Sequence, residues 1–326
     1  MAAPLTELPA IDPALVEGFA LPLLRFLVDR CHGGQRRPVL ALNGPVGAGK
    51  SSLARLLERL APGLGLSLAV ASIDDLYLPW PQRRSALLGN PFGVGRVPPG
   101  SHDLLLLQEA LANWRRSGRL RLPRFDKTMA AGQGDRHGWR GQQAEALLLE
   151  GWLMGCRPLG AEALADLPTQ DLAELTPLER QWLPYWDRQL ATYRPIWRAC
   201  DGLALLRPLH WGLPRRWRFQ AEAQQRRAGG GWLAAAELDR LVRASICSLP
   251  PALYQDPLLP PGWEASVSGR QDWDIGALAG VDQSRLNLAG LDLPLVAVAV
   301  LDGRRRCRSV GVPAQDSASS PSSAIG

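Results

Sequence analysis

An apolar run, Pro38-Val39-Leu40-Ala41-Leu42-Asn43, leads directly into Gly44-Pro45-Val46-Gly47-Ala48-Gly49-Lys50-Ser51. A helical pattern then opens at Ser52-Leu53-Ala54-Arg55-Leu56-Leu57. The middle segment satisfies G-x-x-x-x-G-K-[ST] in full, in the strand–loop–helix context the pattern requires. Few folds accommodate that order. The loop's backbone amides point inward and meet the positive end of the following helix, which makes a cradle for phosphate-like anions. Composition sharpens the inference: of 37 lysines and arginines, only Lys50 and Lys127 are lysine. In a chain that uses arginine almost everywhere, a position that keeps lysine needs a compact ammonium rather than a planar fork.

Three further apolar runs follow. Leu66 to Ile73 ends in Asp74-Asp75, Ala144 to Leu149 ends in Glu150-Gly151-Trp152, and Leu203 to Leu206 ends in Arg207-Pro208. Helical stretches separate them, which predicts an α/β architecture: a parallel β-sheet flanked by helices on both faces. Ligands of such sheets sit at the carboxyl ends of the strands, where these polar residues fall. A helix is predicted over 12–32, opening at Asp12-Pro13, with Leu15, Phe19, Leu23 and Phe26 on one face. Thr176-Pro177-Leu178-Glu179 reads as a capping box opening a helix through Trp182, Trp186 and Leu190. An arginine-rich helix from Pro214 through Arg227, stopped by Gly229-Gly230-Gly231, reads as a lid region. The expected organisation is one domain over 1–256 with its nucleotide-binding core at 35–256, then an extension over 257–313 packed on that core. The extension holds one strand-like run, Leu295 to Leu301, and a Ser/Ala/Pro tail over 314–326 is expected to be disordered.

No apolar run approaches the roughly 18 residues of a membrane-spanning helix. The N-terminus has no early Lys or Arg and carries Glu7, Asp12 and Glu17, so neither a secretory signal nor a transit peptide fits, and a cytoplasmic location is expected. Cys31, Cys156, Cys200, Cys247 and Cys307 form no C-x-x-C pair and read as reduced apolar residues. The net charge of +6 is spread thinly, with one run at Arg304-Arg305-Arg306. No basic and aromatic platform for nucleic acid is visible, and a pocket for a small anionic substrate accounts for the charge as well. No membrane and no obligatory protein partner is expected.

Within the loop, residues Gly44 to Ser52 are the candidate nucleotide contacts, with Lys50 bridging terminal phosphates and Ser51 holding magnesium (Mg2+). Asp74 and Asp75 fit the two acidic tasks of phosphoryl transfer, orienting and deprotonating an acceptor hydroxyl and acting near a metal. Asp74 is the expected base, with a solvated loop acid or helix cap as the alternative. Glu150 fits a second metal-site acid, or a simple turn residue. Pro123-Arg124-Phe125-Asp126-Lys127 and Gly134-Asp135-Arg136 offer Arg124 and Arg136 for a carboxylate and Lys127 for substrate or phosphoryl group. A surface turn with an ion pair remains open there. His102 is a candidate substrate contact, although Ser101 or Asp103 could merely cap the helix of Leu104, Leu107, Leu111 and Trp114. Arg218 stands for the lid arginines, which a solvated helix face would also explain.

Taken together these segments resemble the D-glycerate 3-kinase family, in the phosphoribulokinase, uridine kinase and pantothenate kinase branch of the P-loop kinases. The resemblance rests on Gly44 to Ser52, Ser72-Ile73-Asp74-Asp75-Leu76-Tyr77-Leu78, Pro99-Gly100-Ser101-His102-Asp103-Leu104 and Pro123-Arg124-Phe125-Asp126-Lys127. It continues through Gly132-Gln133-Gly134-Asp135-Arg136, Glu150-Gly151-Trp152-Leu153-Met154-Gly155, Tyr193-Arg194-Pro195-Ile196-Trp197 and Trp217-Arg218-Phe219-Gln220-Ala221-Glu222, covering roughly residues 35 to 256. It implies a P-loop kinase fold with a helical lid, and ATP- and Mg2+-dependent phosphorylation of D-glycerate to 3-phosphoglycerate, the closing step of photorespiration. In that reading Lys50 binds phosphate, Ser51 ligates the metal and Asp74 is the base. Leu76 replaces a usual Phe, Trp232 stands where Met is common, and nothing beyond about 257 matches. Uridine, pantothenate or ribulose 5-phosphate kinases share the branch. A P-loop switch or motor ATPase would not need the paired aspartates.

Overall fold

The computed structural model describes residues 11–33, 37–227, 229, 233–259 and 293–311. The tail expected over 314–326, Trp232 and the Gly230-Gly231 stop lie outside the described residues. The strands are β1 (Val39–Asn43), β2 (Leu68–Ser72), β3 (Arg119–Asp126), β4 (Asp135–Gln143), β5 (Ala146–Gly151), β6 (Gly202–Pro208), β7 (Leu295–Leu301) and β8 (Cys307–Gly311). Six of them form one sheet in the order β2-β5-β1-β6-β7-β8. The first five are parallel, and β8 closes the edge antiparallel to β7. The predicted parallel sheet with helices on both faces is the architecture observed.

Strand alternation splits the core in two. Val39 and Ala41 of β1, with Leu147, Leu149, Leu203 and Leu205, face a cluster containing Trp114, Trp186 and Trp197. Leu40 and Leu42, with Leu148, Ala204 and Leu206, face Phe19, Leu23, Leu24 and Leu27 and the Leu53 and Leu57 side chains. A sheet buried on both faces needs strands that are apolar throughout, which is why they read as unbroken apolar runs. The helix Lys50–Leu60 follows the loop, and the N-terminal helix runs from Pro13 through a π turn, Val16–Ala20, into Leu21–His32. Asp12 caps it by accepting from the Ala14 amide at 3.1 Å. The Thr176–Glu179 capping box is present in both directions and opens Pro177–Ala191.

Three strands fall outside the apolar runs of the sequence, although β3 alternates Arg119-Leu120-Arg121-Leu122 with the leucines buried. β3 and β4 form a separate antiparallel hairpin, and most of β4 is exposed, so no apolar alternation marks it. β8 is a short, half-buried edge with an exposed arginine. The hairpin matters because β3 lies against the 3-10 turn Ile73–Leu76, which follows β2 and holds both candidate aspartates.

A fully buried cation, Arg83, ties this region together. Arg83, in the short helix Trp80–Ala86, donates to the carbonyls of Leu78, Gly95, Gln133 and Gly134. Its guanidinium lies 5.0 to 5.6 Å from the ring centres of Tyr77, Trp80 and Phe125. Burial pushes its pKa down to about 10, so it remains charged. Replacing Arg83 with Met keeps much of the stem volume but strips donors from four carbonyls. Arg83→Met should therefore lower stability by roughly 3 kcal/mol or more, read as a fall in the urea midpoint with little change of slope.

Candidate active site

β1 stops at Asn43 and the chain turns through Gly44 to Ser52. Gly47 and Gly49 take φ values of 78° and 93°, a region that suits glycine, and Gly49 is the N-cap of Lys50–Leu60. Close packing fixes the loop from outside. A Cβ on Gly44 would come within 2.9 Å of Leu206 Cβ, and one on Gly47 within 2.8 Å of Trp217 Cβ and of the Arg218 amide nitrogen. Pro45 and Ala48 are buried and Val46 half-buried, while the Ser52 amide donates to the Gly49 carbonyl at 3.0 Å. The Lys50 ammonium folds back over the loop, 2.8 Å from the Gly44 carbonyl and 3.2 Å from that of Pro45. Burial pushes its pKa down, the carboxylates of Glu150 and Asp74 oppose that, and Lys127 adds to it.

The parallel register brings the acids to this loop. Glu150 pairs with Leu42 of β1 on one side and with Ser72 of β2 on the other. It is only 5% exposed and accepts from the Ser51 hydroxyl at 2.7 Å. A hydroxyl and a carboxylate side by side suit a hard divalent cation, with phosphate oxygens and water completing the shell as Mg2+ prefers. No cluster of three or more His, Cys, Asp or Glu occurs among the described residues. The Ser51–Glu150 pair fits a divalent cation whose remaining ligands are phosphate oxygens and water.

Ser72 accepts from the Asp74 amide at 3.3 Å and starts the 3-10 turn. Asp74 accepts from the Tyr77 hydroxyl at 3.1 Å and lies 3.6 Å from the Lys127 ammonium. Burial works to raise its pKa, but Lys127 first, then His102, Lys50 and the Tyr77 hydrogen bond, hold it below the usual carboxylate range. It stays ionised, and its side chain keeps 36% exposure, so a solute can reach it. Asp75 behaves oppositely: burial and then the charge of Asp74 push it up to about 6. Two adjacent carboxyls with divergent proton affinities are what acid–base work uses. Because the folded-state pKa of Asp75 is raised, its ionisation costs stability as pH climbs from about 4 through about 6. Asp75→Asn should thus raise the melting temperature at pH 8 and leave it nearly unchanged at pH 3, below the ordinary aspartate pKa, measured by calorimetry at both values.

His102 is buried and stacks on Tyr77, ring centres 4.5 Å apart, while its Nδ1 lies 2.6 Å from the Tyr193 hydroxyl. Burial pushes it down to about 4, which keeps it neutral, and its Nε2 has no protein partner. Arg136 donates to the Tyr77 carbonyl at 2.9 Å and pairs with Asp103 at 2.8 Å. Asp103 also caps the helix Leu104–Ser117, so the capping alternative applies to it and not to His102. Arg218 pairs with Glu222 one turn along its own helix, at 2.9 Å. The structure thus gathers Lys50, Ser51, Asp74, Lys127 and Glu150 around the loop and sets His102 and Arg136 around Tyr77. Arg124 is exposed on β3 and joins neither group. Sequence reasoning assigned no role to Tyr77, Tyr193 or Arg305, and Arg305 donates to the Gly47 carbonyl at 2.7 Å. The only signal for it was an arginine run.

No family model matches the chain. Over 211 residues it is 28% identical to the uncharacterized kinase mug58 of Schizosaccharomyces pombe, covering 61% of this chain and 75% of that protein. It is also 28% identical over 217 residues to the chloroplastic D-glycerate 3-kinase of Arabidopsis thaliana, covering 63% of this chain but only 45% of that protein. In fold it is similar to D-glycerate 3-kinase from Cryptococcus neoformans, with a TM-score of 0.71 at 23% identity over 92% of this chain and 99% of that one. The chain thus has a P-loop kinase fold, and its sequence is similar to those of a D-glycerate 3-kinase and of a second kinase.

Proposed function

We propose that this chain transfers the γ-phosphoryl group of ATP to the 3-hydroxyl of D-glycerate, giving 3-phosphoglycerate and ADP. One observation carries the reading. A reachable, ionised aspartate, Asp74, lies 3.6 Å from Lys127, beside a phosphate loop whose Lys50 adds to the same field. A small acid needs little more than that: a carboxylate for its alcohol and cations for its own charge. The names of the Arabidopsis and Cryptococcus relatives point to the same acceptor. We extend the proposal to a photorespiratory role and a cytoplasmic setting; no helix among the described residues is long and apolar enough to cross a membrane.

The chemistry then follows from the residues. The loop amides and the Lys50 ammonium hold the outer phosphates of ATP. Ser51 and Glu150 would hold the accompanying Mg2+, which when bound neutralises phosphate charge. Asp74 accepts a hydrogen bond from the acceptor O–H and aims its oxygen at the γ-phosphorus. As the new P–O bond forms and the bond to ADP breaks, that proton passes to Asp74. A depressed pKa suits this role, because in a loose phosphoryl-transfer transition state the proton leaves late and orientation counts most. Lys127 is placed to leave Asp74 for the acceptor's carboxylate, and neutral His102 keeps Tyr77 against Asp74.

A coupled assay of ATP consumption with D-glycerate, uridine, pantothenate, ribulose 5-phosphate or no acceptor tests the substrate. Turnover confined to D-glycerate is expected, and acceptor-independent hydrolysis would point instead to a switch or motor ATPase. Asp74→Asn should lower kcat by about 100-fold to 10,000-fold while ATP affinity stays within a few-fold. Lys50→Ala should abolish turnover with an unchanged circular dichroism spectrum. An Asp74→Asn enzyme with near-normal kcat would remove Asp74 from the base role.

A further inference from the structure

Arg305 lies in the turn between β7 and β8, 258 residues beyond Gly47 in the chain, yet its guanidinium reaches the phosphate loop. Nε donates to the Gly47 carbonyl at 2.7 Å and Nη2 donates to the Trp217 carbonyl at 2.8 Å. One planar fork therefore spans the loop and the arginine-rich helix Leu213–Arg227.

The turn holds Arg305 in an unfavourable backbone conformation. Its φ is +60°, the left-handed region that residues with a Cβ avoid. Asp302 over-determines that geometry. Its carboxylate accepts from the amides of Arg304 at 2.8 Å and Arg306 at 3.0 Å, and its carbonyl accepts from the Arg305 amide at 2.8 Å. Strain that survives because its surroundings enforce it points to a task.

The task can be read at Gly47. In a trans peptide the carbonyl and the next N–H point to opposite sides. With the Gly47 carbonyl held by Arg305, the Ala48 N–H must face the other way, and it donates to the Pro45 carbonyl at 3.3 Å. Lys50 Nζ donates to that same carbonyl at 3.2 Å, so the amide and the ammonium share one side of the loop. A glycine at 47 leaves this peptide free to rotate unless something holds it, and rotation would present a carbonyl oxygen where an anion has to bind.

We propose that Arg305 is a positioning residue for the phosphate loop. It fixes the Gly47–Ala48 peptide with its amide on the Lys50 side, and through Trp217 it ties that orientation to the seating of the arginine-rich helix. This rests on the loop being the nucleotide site, not on which acceptor the enzyme takes.

Direct titration of the full-length protein with ATP, without acceptor, reads the effect. Arg305→Ala should weaken ATP binding roughly tenfold, the loss expected for one charge-assisted hydrogen bond, and raise the ATP KM alike while the acceptor KM stays within about twofold. Arg304→Ala removes the same charge from an exposed neighbour and should leave ATP affinity within about twofold. Millimolar guanidinium should restore part of the affinity of Arg305→Ala. Arg305→Lys, which keeps charge and stem but cannot span two carbonyls, should fall between wild type and Ala; it serves as the test if Arg305→Ala does not fold. Wild-type ATP affinity in Arg305→Lys, an equal loss in Arg304→Ala, or no guanidinium response in a folded Arg305→Ala would each overturn the proposal. Because no acceptor is present, a wild-type protein that binds ATP but ignores D-glycerate refutes the substrate reading and leaves the Arg305 comparison decisive.

Discussion

The candidate site depends on β1 lying between β5 and β6 and ending where its glycines begin. A parallel sheet delivers every strand's carboxyl end to the same edge, so Gly44, Ser72 and Glu150 arrive there without any long-range search by side chains. The tolerance is small. Gly44 sits against Leu206 of β6, and a Cβ on Gly151 would fall 2.5 Å from Ile73 Cγ2. Strand spacing and the two glycines thus set how closely the glycine loop, Glu150 and the aspartate turn can approach one another.

Charges of both signs meet at that edge, where Glu150 is buried while Asp74 and Lys127 remain open to solvent. Asp74, Asp75 and Glu150 confront Lys50 and Lys127, and Asp74, Glu150 and the two lysines shift the proton affinities of their neighbours. Asp74 keeps its proton off because cations surround it, and Asp75 holds on to one up to about pH 6 because it is buried and, next to that, because Asp74 is beside it. Above that pH the pair is a doubly charged anion held by the fold. The destabilisation this entails is the kind that active sites tolerate when function requires it.

Those features the sequence disclosed are the ones governed by local rules. The buried parallel strands read as apolar runs, the loop read as a motif, and the Thr176 capping box read from four residues. Tertiary contact decides the others. β4, Asp-Arg-His-Gly-Trp-Arg-Gly-Gln-Gln, is held by pairing with β3 and has no buried face of its own to announce it. His102 drew attention as a polar residue in a turn, but its burial between Tyr77 and Tyr193 comes from two other segments of the chain. Arg83 and Arg305 were invisible for the same reason: one binds carbonyls from three loops and the other reaches back to Gly47.

The arginine bias of the composition acquires a structural meaning from these contacts. Arg83 holds four carbonyls, Arg305 two, and Arg115 those of Arg37 and Ala199 besides the Asp201 carboxylate. Each uses a rigid fork to join segments distant in sequence, which a single rotating ammonium does poorly. Once these groups are engaged, their donors are committed to backbone and cannot follow a substrate through a reaction. The two lysines are placed differently, Lys50 over the loop carbonyls and Lys127 in an ion pair with Asp74. The chain divides labour between its cations by geometry, fixed forks to build the site and point charges to serve it.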